Sequence, residues 1–153
     1  MDLNSYSFRS VWPVDASSDE AFRALREVDD YPAWWPEVRR THRIDESTHD
    51  MVVRSLLPYD LVFRTTRSRE DANEGVLEAR MQGDLAGFSR WTITPSGSGA
   101  TLVFEEKVVA AKPLLRRLAA VARPAFVANH SLMMRHGRQG LRAYLAGLRR
   151  GAS

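Results

Sequence analysis

From Tyr6 to Val14 the chain alternates, with Tyr6, Phe8, Ser10, Trp12 and Val14 in one phase and Ser7, Arg9 and Val11 in the other. Period two predicts a strand with one buried face. Pro13 sets its end near a sheet edge or a bulge. The period then changes. Ser17 or Ser18 caps a predicted helix with Glu20 in its first turn and Ala21, Phe22, Leu25 and Val28 as its apolar stripe. Asp29 and Asp30 stop it, and Pro32 suits the first turn of a second short helix over Tyr31–Trp35. Six strand-like runs follow, at residues 39–45, 51–57, 59–69, 75–82, 88–94 and 101–109. Turn signals at Pro58, Asn73-Glu74-Gly75 and Pro95-Ser96-Gly97-Ser98-Gly99 separate several of them. Consecutive strands with short turns predict an antiparallel meander.

From Pro113 onward the spacing turns helical. Leu118, Ala122, Phe126, Asn129, Met133, Gly137, Gly140, Tyr144 and Leu148 recur at steps of three or four and mark one face. Pro124 removes an internal hydrogen bond and is expected to kink or split this helix. Gly137 and Gly140 lower helix propensity, which predicts a close neighbour there, most simply the sheet. With no internal repeat and no dividing linker, residues 1–153 are expected to form one α+β domain. A curved antiparallel sheet wrapped around a long C-terminal α-helix, with two short helices after the first strand, satisfies the order.

Three local stretches carry a resemblance. They are Tyr31-Pro32-Ala33-Trp34-Trp35-Pro36, then Gly83-Asp84-Leu85-Ala86-Gly87 running into Arg90-Trp91, and Asn129-His130 followed by Met133-Met134-Arg135 and Gly137. In layout and motifs the chain resembles the START-like (SRPBCC) superfamily. Within it, the chain looks like the bacterial polyketide cyclase/dehydrase and lipid-transport family. The resemblance spans nearly the whole chain and implies the helix-grip fold with a deep apolar cavity between sheet and long helix. It also implies a small hydrophobic ligand such as a lipid, isoprenoid or polyketide, to be carried or sequestered. The alternative is an aromatase/cyclase or dehydratase acting on a ligand in the same cavity.

Composition narrows the chemistry. No Cys is present, so a disulfide or thiolate site is excluded. No HExxH, His triad or carboxylate cluster at metal spacing occurs, and no metal or other cofactor is expected. Gly83–Gly87 lacks the Lys-Ser/Thr ending of a phosphate loop and reads as a hairpin. Met1–Ser10 holds no secretory apolar run and no stretch reaches a membrane span, so a cytoplasmic location is expected. Charge is divided. Residues 1–106 carry 12 Arg against all 19 carboxylates, a net −7, whereas residues 107–153 carry two Lys and eight Arg, a net +10. The basic helix is expected to pair with carboxylates of the body, with peripheral contact to anionic membrane as the alternative. Only Phe126 and Tyr144 supply aromatics there, too few to stack single-stranded nucleic acid, which is not expected as a partner.

From residue types alone the alternating apolar faces read as an ordinary filled core; given the cavity that the resemblance implies, they nominate its lining. Trp91 and Ile93 share a face, as do Leu102, Phe104, Glu106 and Val108. Leu61 and Phe63 join them from one strand, Leu77, Ala79 and Met81 from another, and Phe126, Asn129, Met133 and His130 from the helix. Trp34 and Trp35 either close the cavity or anchor the short helices. Glu106 and Asn129 are polar members of apolar faces, where each needs a partner or a ligand. Glu106 is therefore the candidate acid/base, with Asn129 or Tyr144 polarising a carbonyl. Two plainer readings stand beside this one: Glu106 turned to solvent or paired with the basic helix, and Asn129 bonded to backbone after Pro124. His42, His49, His130 and His136 read as isolated surface or core-edge groups.

Overall fold

The computed structural model describes residues 4–54, 59–111, 113–117 and 119–151, and the side chains of all of these except 114, 115 and 119–122. In chain order the elements are β1 (Ser5–Val14), α1 (Ser18–Arg26), a 3-10 turn (Val28–Asp30), α2 (Tyr31–Trp34), β2 (Val38–Arg43), β3 (Thr48–Val53), β4 (Leu61–Asp71), β5 (Val76–Gly83), β6 (Leu85–Ser96), β7 (Gly99–Ala110), α3 (Pro113–Arg117) and α4 (Ala119–Gly151). The seven strands form one antiparallel sheet in the order β1-β7-β6-β5-β4-β3-β2. Strands β2 to β7 are the predicted meander. β1 joins beside β7 with Phe8 opposite Glu106 and Trp12 opposite Leu102. This is a helix-grip fold.

Local chemistry fixes the ends of the elements. Ser17 caps α1: its Oγ accepts from the Glu20 N–H at 3.1 Å while Glu20 reaches back to the Ser17 N–H. Ala21, Phe22, Ala24 and Leu25 are its buried residues. Val28, expected on the same helix, lies instead in the 3-10 turn. β3 starts at Thr48 rather than residue 51, and residues 55–57 and the Pro58 turn lie outside the described residues. β6 starts at Leu85, three residues earlier than alternation suggests. Ala86 and Gly87 break the apolar pattern but are held by the ladder to β7, where Leu85 faces Ala110. The tight link from β5 to β6 turns on Gly83, at φ 119°, a conformation that L side chains rarely adopt.

The long helix follows the sequence expectation only in part. Pro124 lies inside α4, which continues through it to Gly151. The buried face is centred on Phe126, His130, Met134, Gly137, Leu141 and Leu145, so Tyr144 is only partly buried and Leu148 is 51% exposed. The close neighbours of Gly137 are the indoles of Trp35 and of Trp12, the latter on strand β1 of the sheet, and that of Gly140 is the Trp34 backbone. A Cβ on Gly137 would lie 2.6 Å from the Trp35 ring and 2.8 Å from Trp12, and one on Gly140 would lie 1.7 Å from the Trp34 carbonyl oxygen. The two glycines let α4 settle directly on α2.

Trp12, Trp34, Trp35 and Trp91 make one cluster. Trp12 meets Trp91 at 4.8 Å and Trp35 at 5.5 Å edge-on, and Trp34 stacks on Trp35 at 5.3 Å. Each indole is at most 5% exposed. At about 25 cal/mol per Å² and roughly 150–250 Å² per ring, each contributes on the order of 4–6 kcal/mol as an upper bound. Trp35 Nε1 donates to the Met133 carbonyl at 2.9 Å, tying α2 to α4. Arginines finish the attachment through main-chain carbonyls. Arg123, Arg142 and Arg149 donate to the main-chain carbonyls of Ser5, Pro13 and Asp15. β1 is an edge strand, and its outward carbonyls need donors.

Candidate functional site

Between the concave sheet and the helices lies a cavity of two joined chambers. The first, about 110 Å³, sits under α1, the 3-10 turn and α2. Its apolar wall includes Leu25, Trp35, Met51, Phe63, Leu77, Met81, Trp91 and Phe104. The second, about 60 Å³, sits under α4 and is walled by Tyr59, Leu61, Leu85, Phe126, Asn129 and His130. Val53, Phe63, Met81, Glu106 and Met133 line both chambers, and so form the junction. These volumes fall below the roughly 300–1,000 Å³ of common ligand pockets. A larger ligand therefore requires the junction to open, and Met81 and Met133, unbranched and adaptable, suit that movement.

The structure brings most of the nominated residues together here. Trp35, Leu61, Phe63, Met81, Trp91, Phe104, Phe126, Asn129, Met133 and Glu106 all line one chamber or both. Two do not. Trp34 is buried in the tryptophan cluster and lines neither chamber. Tyr144 lies in an outer groove between α1 and α4 with Glu27, Asp30 and Arg149. Burial and the nearby Asp30 and Glu27 raise its pKa. It is thus removed from any cavity chemistry, because the buried face of α4 is rotated away from it.

Glu106 is the acid at the junction. It is 6% exposed, carried inward by the alternation of β7 with Leu102, Phe104 and Val108. Burial raises its pKa from 4.5 to about 7. The carboxyl is therefore about half protonated at neutral pH, the condition in which one group can both take and give a proton. It neither turns to solvent nor pairs with an arginine of α4. Its neighbour is His130, whose Nε2 lies 3.8 Å from Glu106 Oε1. His130 is 7% exposed and stacks on Phe8 at 3.6 Å with planes 7° apart. Burial lowers its pKa from 6.5 to about 4, so at neutral pH the ring is uncharged. Asn129 lines the second chamber on the same stretch of helix.

Three polar groups of the first chamber escaped notice in the sequence. Thr65 and Arg67 continue the inward phase of Leu61 and Phe63 along β4, a period-two signal that was there to be read. Arg67 donates to the Arg26 carbonyl and, at 2.8 Å, to Glu70. His49 is 5% exposed, with Nε2 3.2 Å from Asp29 Oδ1 but not in hydrogen-bonding alignment. Nothing in the sequence set His49 apart, since its burial depends on the 3-10 turn folding over it. His49 and Arg67 also line a shallow outer pocket with Asp29, Arg43 and Glu70, so they stand between the first chamber and the surface. His136 faces elsewhere, with Nδ1 2.7 Å from buried Glu37.

Among the described residues no group of three His, Asp or Glu is placed to hold a metal ion. No described helix is long and apolar enough to cross a membrane.

The fold recurs in solved structures. An aromatase/cyclase, Zhui from Streptomyces sp. R1128, superposes with a TM-score of 0.76 at 14% identity, covering 93% of this chain and 94% of that one. A START superfamily protein from Mycobacterium smegmatis gives 0.72 at 18% identity, over 93% and 98%. The di-domain aromatase/cyclase StfQ, of the steffimycin biosynthetic pathway, gives 0.64 at 18% identity, with this chain covering 53% of it. No curated protein matches in sequence. The family model described as "Polyketide cyclase / dehydrase and lipid transport" matches residues 6–146, and the chain belongs to that family.

Proposed function

We propose that the protein binds a small hydrophobic molecule bearing a carbonyl or hydroxyl group, and carries or sequesters it in the two-chamber cavity. The observation behind this reading is the junction: an apolar lining interrupted by Glu106, a carboxyl reachable from both chambers. A mostly apolar wall supplies affinity and a few convergent polar groups supply orientation. Protonated Glu106 would donate to a ligand carbonyl, and Arg67 and His49 would hold a polar end near the surface.

The test is native mass spectrometry of gently purified protein, followed by extraction of any bound molecule. A stoichiometric apolar adduct supports the reading. A clean apo mass, still clean after incubation with a panel of fatty acids, isoprenoids and polycyclic phenols, sinks it.

A second reading is favoured by one observation, a carboxyl buried in the wall of both chambers, where dehydration raises its pKa. On this reading the protein turns its ligand over, as an aromatase/cyclase or dehydratase. The Glu106 carboxylate would remove a proton from a carbon between two carbonyls. The resulting enolate carbon would attack a carbonyl of the same chain held close by the cavity, closing a ring. Glu106 would return that proton to the new alkoxide, and its carboxylate would then remove the remaining proton of the same carbon and pass it to the hydroxyl, which leaves as water as the carbon–carbon double bond forms. Loss of cyclised product in Glu106→Gln with ligand uptake intact would support turnover, and unchanged product would remove Glu106 from it.

A further inference from the structure

We propose that His130 is a proton relay, connecting the Glu106 carboxyl inside the cavity to water in a groove along the outer edge of β1. The relay rests on the acid/base reading of Glu106.

The ring of His130 is a partition. On one side it walls the second chamber. On the other it lines a separate outer groove of about 340 Å³, with Phe8, Arg9, Ser10, Val11, Trp12, Ser131, Met134, Arg135 and Arg138. Nε2 is the buried nitrogen, without a hydrogen-bond partner and 3.8 Å from Glu106 Oε1. A buried ring nitrogen without a hydrogen bond is costly, and Glu106 Oε1 at 3.8 Å is close enough to satisfy it after a side-chain rotation. Phe8 stacks on the ring and fixes its plane.

A second way in matters because of the cavity's shape. A ligand filling the first chamber would stand between Glu106 and the surface at His49 and Arg67. The α4 side of the junction remains, and His130 is the titratable group there that reaches both carboxyl and groove. The step balances as a tautomer exchange. Neutral His130 with its proton on Nδ1 accepts the Glu106 proton at Nε2 and releases the Nδ1 proton to groove water. Glu106 is left as carboxylate and His130 neutral, with its proton on Nε2. The reverse sequence recharges the acid.

The surroundings favour passage over storage. Charged and titratable groups around His130 are Glu106 on β7, Arg9 on β1, Arg135 and Arg138 on α4, and Arg54 and Tyr59 across the second chamber. Burial of the ring disfavours a lasting positive charge on it. The 3.8 Å separation must shorten by about 1 Å for transfer, which side-chain rotation supplies.

Infrared spectroscopy on the whole protein tests this without any substrate. The carbonyl stretch of protonated Glu106 is identified at pH 6 as the band lost in Glu106→Gln, and its shift is timed after rapid mixing into D2O. Deuteration in His130→Phe, which keeps the stacked ring without a relay atom, is expected to slow at least tenfold. His130→Gln, polar but unable to relay, should slow likewise and serves if His130→Phe does not fold. Wild-type exchange rates in a folded variant overturn the relay. Absence of a Glu106-dependent protonated band in the wild type instead overturns the acid/base reading beneath it.

Discussion

Glu106→Gln is the most exposing perturbation, because the wild-type pair is built so that its two pH dependences cancel. Glu106 rises from 4.5 to about 7 on folding. The folded state thus holds its proton more tightly than the unfolded state. Its burial costs nothing below pH 4.5 and costs more as pH climbs, reaching about 3 kcal/mol above pH 7 at 1.36 kcal/mol per unit. His130 falls from 6.5 to about 4, the opposite case. Its burial costs nothing above pH 6.5 and reaches about 3 kcal/mol below pH 4. Between those limits one penalty grows as the other shrinks, so together they leave stability nearly level. Gln keeps the shape and removes the titration. The stability of Glu106→Gln relative to wild type should therefore rise by about 3 kcal/mol from pH 4 to pH 8. His130→Phe should do the reverse, gaining about as much from pH 8 to pH 4. Urea denaturation at half-unit pH steps, with unchanged m-values, measures both. Flat differences would refute the burial argument. Slopes of opposite sign would show a charged Glu106–His130 ion pair, with the carboxyl lowered and the imidazole raised.

Other expectations are more local. Gly140→Ala places a methyl group against the Trp34 carbonyl; the clash should exceed the roughly 1 kcal/mol gained in helix propensity and lower stability by about 1–3 kcal/mol, read as a fall in Tm. Met133→Trp fills the junction and should abolish uptake of apolar ligands in native mass spectrometry while the near-ultraviolet circular dichroism of the tryptophan cluster persists. Ser17→Ala removes the α1 capping box and should cost about 1 kcal/mol in urea denaturation.

The fold was legible because its signals are periodic. Six runs of alternation followed by a helical period leave few arrangements for a chain of this length, and the turn residues sit where the strands end. The errors arose where tertiary contact overrides pattern. Pro124 suggested a kink or a break, and there is no break, since α4 continues through it to Gly151. The glycines of α4 announced a close neighbour, which is the sheet through Trp12 of β1 at Gly137 and the Trp34–Trp35 segment besides. A helix lying on two indoles leaves the same mark in the sequence as one lying on a sheet.

The candidate site divides along the same line. Glu106 was visible because a carboxylate in phase with Leu102, Phe104 and Val108 violates the alternation around it. Its state was not visible, since a pKa near 7 comes from dehydration by a cavity whose walls belong to several elements. His130 shows the limit most clearly. The sequence sets His130 beside Asn129 on the lining face of the helix, but nothing in it pairs that ring with Glu106, 24 residues away. Only the closure of α4 over the sheet brings Nε2 toward the carboxyl and sets Phe8 against the ring. The Glu106–His130 pair thus belongs to the contact between strand β7 and helix α4. A substitution on either side should be judged by what it does to that contact before what it does to the element carrying it.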